Sequence, residues 1–139
     1  MIMSKTEPKR IYVTYNESES GGDPIDPSDT WTSYTDKFRE VEFLRLYREP
    51  PKDRFFYDSI QLVKDELADL DKLYLAVIRY STGSTFGHVE GCWHIVGVAP
   101  TYKIAELMIE GALNGDGYKP WEGYFERYTD SEIHTLEVV

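Results

Sequence analysis

Cysteine is almost missing from this chain: Cys92 stands alone in 139 residues. One thiol cannot form an internal disulfide, so the fold is not a disulfide-stapled scaffold. Long apolar runs are missing too, and no stretch approaches the roughly 18 residues of a membrane-spanning helix. The start, Met1-Ile2-Met3-Ser4-Lys5, has no apolar core of a signal peptide. The expectation is a soluble, cytoplasmic protein. Positive charge is scarce, with 15 Lys and Arg against 25 Asp and Glu, for a formal net charge of −10. Proteins hold nucleic acids and anionic membranes by neutralising phosphate with Lys and Arg. Neither class of partner is therefore expected.

Core-forming residues are plentiful. Hydrophobic residues make up 41% of the chain and aromatics 14%, which sets wholesale disorder aside. The length fits a single domain, 1–139, burying roughly 68–70% of its unfolded surface. A flexible N-terminus is expected over 1–9. Glu17 to Asp29 holds two Gly, two Pro and several Ser and Asp, and predicts a mobile loop over 17–29.

The charge is unevenly spread. Residues 73–105 carry only Glu90 against Arg79 and Lys103, whereas residues 106–139 carry eight acids and two bases. A nearly neutral segment inside an acidic chain is expected to form the core. It is also where an anionic ligand meets least repulsion.

Arg10 to Tyr15 is rich in β-branched and aromatic residues and predicts a strand. Trp31 to Thr35 reads as a short strand, and Phe38 to Tyr47 as a strand ended by Pro50-Pro51. Ile60, Val63, Leu67 and Leu70 recur at helical spacing and point to a helix over about 58–70. Leu73 to Tyr80 and Cys92 to Val98 are near-continuous apolar runs that predict buried strands, paired as a hairpin through a loop at Ser81 to Gly91. The clearest helix covers about 101–114, with Thr101 as N-cap and Asn114-Gly115 as its stop. Ile104, Met108 and Gly111/Ala112, with Leu107 adjacent, are expected to form its inner face. Trp121 to Tyr128 and Glu132 to Val139 read as closing strands. The expected class is α+β: an antiparallel sheet with one well-defined helix and a second at 58–70.

The richest chemistry lies at Arg79-Tyr80-Ser81-Thr82-Gly83-Ser84-Thr85-Phe86-Gly87. A buried strand delivers an Arg into a segment with four hydroxyl residues and two glycines. Backbone N–H groups, hydroxyls and a guanidinium fork together suit phosphate. The segment lacks the Lys and spacing of a P-loop and the G-x-G-x-x-G of a dinucleotide fold. The plainer reading is a turn or bulge at Gly83 and Gly87, with hydroxyls satisfying backbone groups. His88 lies beside it, and Tyr118 and Trp121 are candidates to stack on a base. The expected ligand-binding set is Arg79, Ser81, Thr82, Gly83, Ser84, Thr85, His88, Tyr118 and Trp121. The plainer reading of those aromatics is as half-buried sheet residues.

No metal site, cofactor or catalytic residue is expected. His88-x3-Cys92-x-His94 offers three soft ligands, whereas structural zinc needs four, usually as separated pairs. Neither His88 nor His94 has the hydroxyl two residues on that a two-histidine phosphoesterase repeat requires. Cys92 and His94, flanked by Trp93 and Ile95, read as core rather than as a nucleophile and its base.

The run Leu73 to His88, then Gly91, then Ile95-Val96-Gly97-Val98 and the helix, resembles a group of small uncharacterised proteins encoded by bacteriophages. The pattern is an apolar strand followed by R-Y-x-T-G-x-T-F-G. A later W-x-G-Y-F is similar to Trp121-Glu122-Gly123-Tyr124-Phe125. The resemblance covers roughly residues 73–139. An Asp often stands in that pattern where this chain has Ser84, so an acidic role there does not carry over. The resemblance implies a phage origin and action on host machinery or host immunity.

Three functions compete at this point. The first is an anti-defence or host-takeover protein that sequesters a phosphate-bearing small molecule, a nucleotide-derived signal, without catalysis. The second is an acidic inhibitor that covers the basic nucleic-acid groove of a host or immune protein. The third, a small nucleotide hydrolase, lacks a base–nucleophile or metal set. A homo-oligomer is compatible with each.

Overall fold

The computed structural model describes residues 9–21, 35–52, 56–84 and 87–139. Six strands and one helix follow in order: β1 (Arg10–Gly21), β2 (Thr35–Tyr47), β3 (Phe56–Gln61), β4 (Lys72–Ser84), β5 (Gly87–Ala99), α1 (Tyr102–Asn114) and β6 (Arg127–Glu137). They form one mixed sheet of order β3-β1-β2-β5-β4-β6. The sheet is therefore not wholly antiparallel as expected: β2 and β5 run parallel, over Thr35–Phe38 against Gly87–Glu90. Parallel neighbours need a long crossover, and here β3 and β4 lie within it.

That short parallel pairing lets the sheet fold over itself. Beyond Phe38, β2 leaves β5 and its far end meets β6, through a Leu46–Val138 bridge and a Val139 N–H to Leu46 carbonyl bond of 2.8 Å. The half β3-β1-β2 thus faces the half β5-β4-β6. Between them lies a core of Ile11, Val13, Phe43, Leu46, Ile60, Leu73, Leu75, Val77, Val98 and Leu136. The outer face of β4 and β5 packs Ala76, Ile78 and Ala99 against Ala105 and Ile109 of α1 and against Trp121. β4 is covered on both faces, which is why its sequence is continuously apolar.

α1 begins as expected, with Thr101 Oγ1 accepting from the Ile104 N–H at 3.2 Å. Its buried face differs from expectation. Ala105 and Ile109 point inward with Met108, Ala112 and Leu113 beside them, while Ile104 and Leu107 stay exposed. The small Ala105 lets the helix lie close to the sheet, and the inner stripe is turned by one residue.

No helix covers 58–70. Ile60 and Leu62 are buried at strand spacing, Val63 is 80% exposed, and only a 3-10 turn (Asp65–Asp69) follows. Pairing of Arg10–Tyr15 with Phe56–Gln61 claims the first part of the segment. Arg48 holds the turn by donating from Nε to the Ala68 carbonyl at 2.5 Å and from Nη2 to that of Leu70 at 3.2 Å.

The expected loop at 17–29 is also corrected where it is described. Glu17 to Gly21 continue β1, because cross-strand charge pairs replace apolar pairs there. Arg39 Nη2 lies 2.5 Å from Glu17 Oε1, and Lys37 Nζ lies 3.8 Å from Glu19. Residues 22–29 lie outside the described residues, as do 1–8 of the expected flexible terminus and 31–34 of the expected short strand. Lys9 is anchored: its N–H donates to Asp65 and its carbonyl accepts from Leu62. Ser81 to Ser84 and Gly87 to Gly91 are strand, not loop. Trp121 to Phe125 is a 3-10 turn (Pro120–Glu122) and irregular chain, with β6 starting only at Arg127.

Candidate functional site

The two segments singled out by motif meet in space. Thr82, near the end of β4, donates from Oγ1 to Glu126 Oε1 at 3.3 Å. The other oxygen of Glu126 accepts from the Phe125 N–H at 3.0 Å. The Gly83 N–H donates to the Phe125 carbonyl at 3.2 Å. Gly123 makes room for this carboxylate, since a Cβ there would stand 2.2 Å from Glu126 Oε2. Arg79-Tyr80-Ser81-Thr82-Gly83 and Trp121-Glu122-Gly123-Tyr124-Phe125 are therefore one junction, stapled by Glu126.

Aromatic side chains surround it. Tyr124 (92% exposed) and Phe125 stand edge to face with ring centroids 4.7 Å apart. Tyr128 is exposed and pairs across strands with Tyr80. Tyr118 is 83% exposed, with its ring 6.5 Å from His94. Trp121 is buried, 5.8 Å from the same imidazole. Burial pushes His94 below its ordinary value. Burial, with Cys92 and Tyr118 nearby, pushes the Tyr80 hydroxyl up. Glu122 pairs with Lys119 at 3.6 Å.

Arg79 faces the other way, into the space between the sheet halves. Its Nη2 donates to the Arg39 carbonyl at 3.3 Å, and its Nη1 lies 4.0 Å from Glu132. Glu132 contacts His134 at 2.9 Å, and His134 leans on Phe43, centroids 5.1 Å apart. Phe43 and Tyr15 both meet Trp93 edge on, at 5.4 and 4.9 Å. Glu17 Oε1 is buried and pairs with the Arg39 guanidinium. Burial and the Glu17 charge push Asp58 upward, and burial with Asp58 and Glu17 does the same to Tyr15. Gly91, at φ +80°, admits the Arg39 carbonyl to this space: a Cβ there would lie 2.1 Å from that oxygen.

The expected ligand-binding residues are thus divided. Thr82 and Gly83 join the 121–126 segment, but through bonds that already occupy their polar groups. Ser81 is buried, Ser84 ends β4, and Thr85 lies outside the described residues. His88 pairs with Glu90 at 3.1 Å. Arg79 lies on the opposite face of β4 from Trp121 and Tyr118, so the three do not converge on one ligand. Strand alternation decides this: Ile78 and Tyr80 take the α1 side and Arg79 the other. Sequence reading missed Glu126, which directly follows the W-x-G-Y-F string. It also missed the Glu17–Arg39–Asp58 group, whose members come from three strands and leave no local signal.

Among the described residues, no three His, Cys, Asp or Glu are placed to hold a metal. Cys92 is buried. No described helix is long and apolar enough to cross a membrane. Comparison with protein-family models, with curated proteins and with solved structures gives no match.

Proposed function

We propose that this protein is a non-catalytic inhibitor that docks a basic face of a host or immune protein. The observation that carries the reading is the group Tyr118, Tyr124, Phe125 and Tyr128, all exposed, within residues 106–139, which carry eight carboxylates and two basic residues. Tyr and Phe are enriched at the centre of protein interfaces, where a rigid ring gains area at little entropic cost. Carboxylates around them steer a basic partner and penalise acidic ones. The Glu126 staple fixes the loop that presents Tyr124 and Phe125, which lowers the ordering cost of binding. The resemblance to phage-encoded proteins supports a host target.

The test is capture from host lysate at low salt and at about 0.5 M salt, where surface charges are screened. A Tyr124→Ser/Phe125→Ser variant is compared with the wild type. The expected result is one salt-sensitive partner that the double variant loses while its melting temperature is unchanged. Equal capture by the variant overturns the reading.

Sequestration of a phosphate-bearing small molecule is the second reading. It is favoured by Arg79, whose Nη1 reaches its nearest carboxylate only at 4.0 Å, in the charge-poor segment. Calorimetric titration with cyclic and linear nucleotides tests it. Binding that Arg79→Ala abolishes supports it, and no heat from any nucleotide overturns it.

A further inference from the structure

Two strand edges face each other across a gap. Among the described strands, β3 pairs only with β1. β5 pairs with β4 along its length but with β2 only up to Glu90. From Gly91 to Ala99, no described strand covers the second edge of β5. The two edges border a groove of about 490 Å³ lined by Asp58, Ser59, Ile60 and Gln61 on one side and Trp93, His94, Ile95 and Val96 on the other. The lining residues are consecutive, not alternate. A strand face would contribute every second residue, so the groove presents backbone edges.

We propose that this groove takes an extended, arginine-bearing peptide segment of the partner as a strand added to the uncovered edge of β5, beside β3. This rests on the reading of the chain as a partner-binding protein, but at a different surface from Tyr118–Tyr128. An uncovered edge offers a row of N–H and C=O groups to any extended chain. Native edges are usually protected by charge or proline, yet Cys92 to Val98 (C-W-H-I-V-G-V) has neither. Four residues on each wall span about 13 Å at 3.3 Å per residue, enough for a short strand.

The inner wall specifies the occupant. Asp58 lies on the same face of β3 as the buried Ile60, and Trp93 and Ile95 face it from β5. Burial and the nearby Glu17 charge both oppose ionisation of Asp58. A guanidinium entering here pairs with Asp58, relieves that repulsion and stacks on the Trp93 indole. Residues on either side of that arginine turn outward, toward His94 and Val96. A second copy of this chain is the weaker occupant, because its net charge is −10.

The probe is an end-blocked Thr-Val-Thr-Arg-Thr-Val-Thr peptide carrying a fluorophore, with binding read by anisotropy. Two controls alter the peptide alone: N-methylation of alternate amides, which removes strand pairing, and citrulline in place of arginine, which removes the charge. Each is expected to weaken binding about tenfold or more. Asp58→Asn is expected to weaken it similarly, and Tyr124→Ser/Phe125→Ser to leave it unchanged. No binding at about 1 mM peptide, or equal binding of the N-methylated peptide, overturns the proposal. So does a dimer whose β5 edge is protected from hydrogen exchange by a second copy. Peptide binding lost in the Tyr124/Phe125 variant but kept in Asp58→Asn overturns the groove and supports the aromatic face. Peptide binding that follows this proposal, with partner capture unaffected by the Tyr124/Phe125 change, overturns the aromatic face and supports the groove.

Discussion

Thr82 and Glu126 join the end of β4 to the chain entering β6 through one hydroxyl–carboxylate bond of 3.3 Å. This bond and the 3.0 Å bond from the Phe125 N–H to the same carboxylate fix the irregular chain between Trp121 and Arg127. Glu126→Ala removes both, and hydrogen bonds to a charged group contribute about 1.5–3 kcal/mol each. Partial exposure reduces this, so a loss of about 1–2 kcal/mol in urea denaturation is expected, with Thr82→Val losing about 1 kcal/mol or less. Hydrogen exchange at the Phe125 amide should accelerate in both variants.

Gly91 tolerates no side chain without backbone movement. Its φ of +80° is unfavourable for other residues, and a Cβ would strike the Arg39 carbonyl at 2.1 Å. Backbone cannot swing aside as a side-chain tip can. Gly91→Ala is expected to cost about 2–3 kcal/mol, measurable as a fall in the urea midpoint. The bond from Arg79 to Arg39 should loosen with it, so Arg79→Met should cost less in the Gly91→Ala background than in the wild type.

His94 gives a pH dependence of defined sign. Burial lowers its folded value, so between that value and about 6.5 the unfolded chain holds more protons. Stability at this group is therefore fully present above about 6.5 and declines as pH falls through the window. An NMR titration should place the His94 midpoint below about 6.5. His94→Gln should flatten the difference in stability between pH 7.5 and pH 5, both set on the order of a unit from that value. A midpoint at or above the ordinary value would contradict the burial.

Arg48 links β2 to the 3-10 turn through two carbonyls, those of Ala68 and Leu70. Arg48→Met keeps most of the aliphatic stem and removes the donors. A loss of about 1 kcal/mol is expected, with faster exchange at the Leu70 amide and little change in α1.

The sequence showed the centre of this fold more clearly than its periphery. Leu73–Ile78 and Cys92–Val98 are buried on one or both faces, and continuous apolarity signals that directly. Thr101 and Gly115 announced the ends of α1 through capping chemistry. The segment 59–70 misled because Val63 and Leu70 match a helical period yet remain exposed; pairing of β3 with β1 outweighs a local pattern. Glu17 to Gly21 reads as loop because its strand partners, Lys37 and Arg39, are distant in sequence. The parallel pairing of β2 with β5 leaves no local mark. Half of the junction was legible, as the strings around Thr82 and Tyr124. That the two strings touch, and that Arg79 turns away from both, follows from strand alternation within a register that only the folded sheet supplies.

The core between the two sheet halves draws Ile11 and Val138 into one cluster with residues from every strand between them. No contiguous stretch of this chain contains a complete version of that cluster. Folding must therefore close long loops before most of the apolar surface is covered, which places the protein among slow folders of high contact order. While it waits, the charge-free Cys92–Val98 strand is exposed to other chains, and dilute solution becomes a condition for efficient refolding.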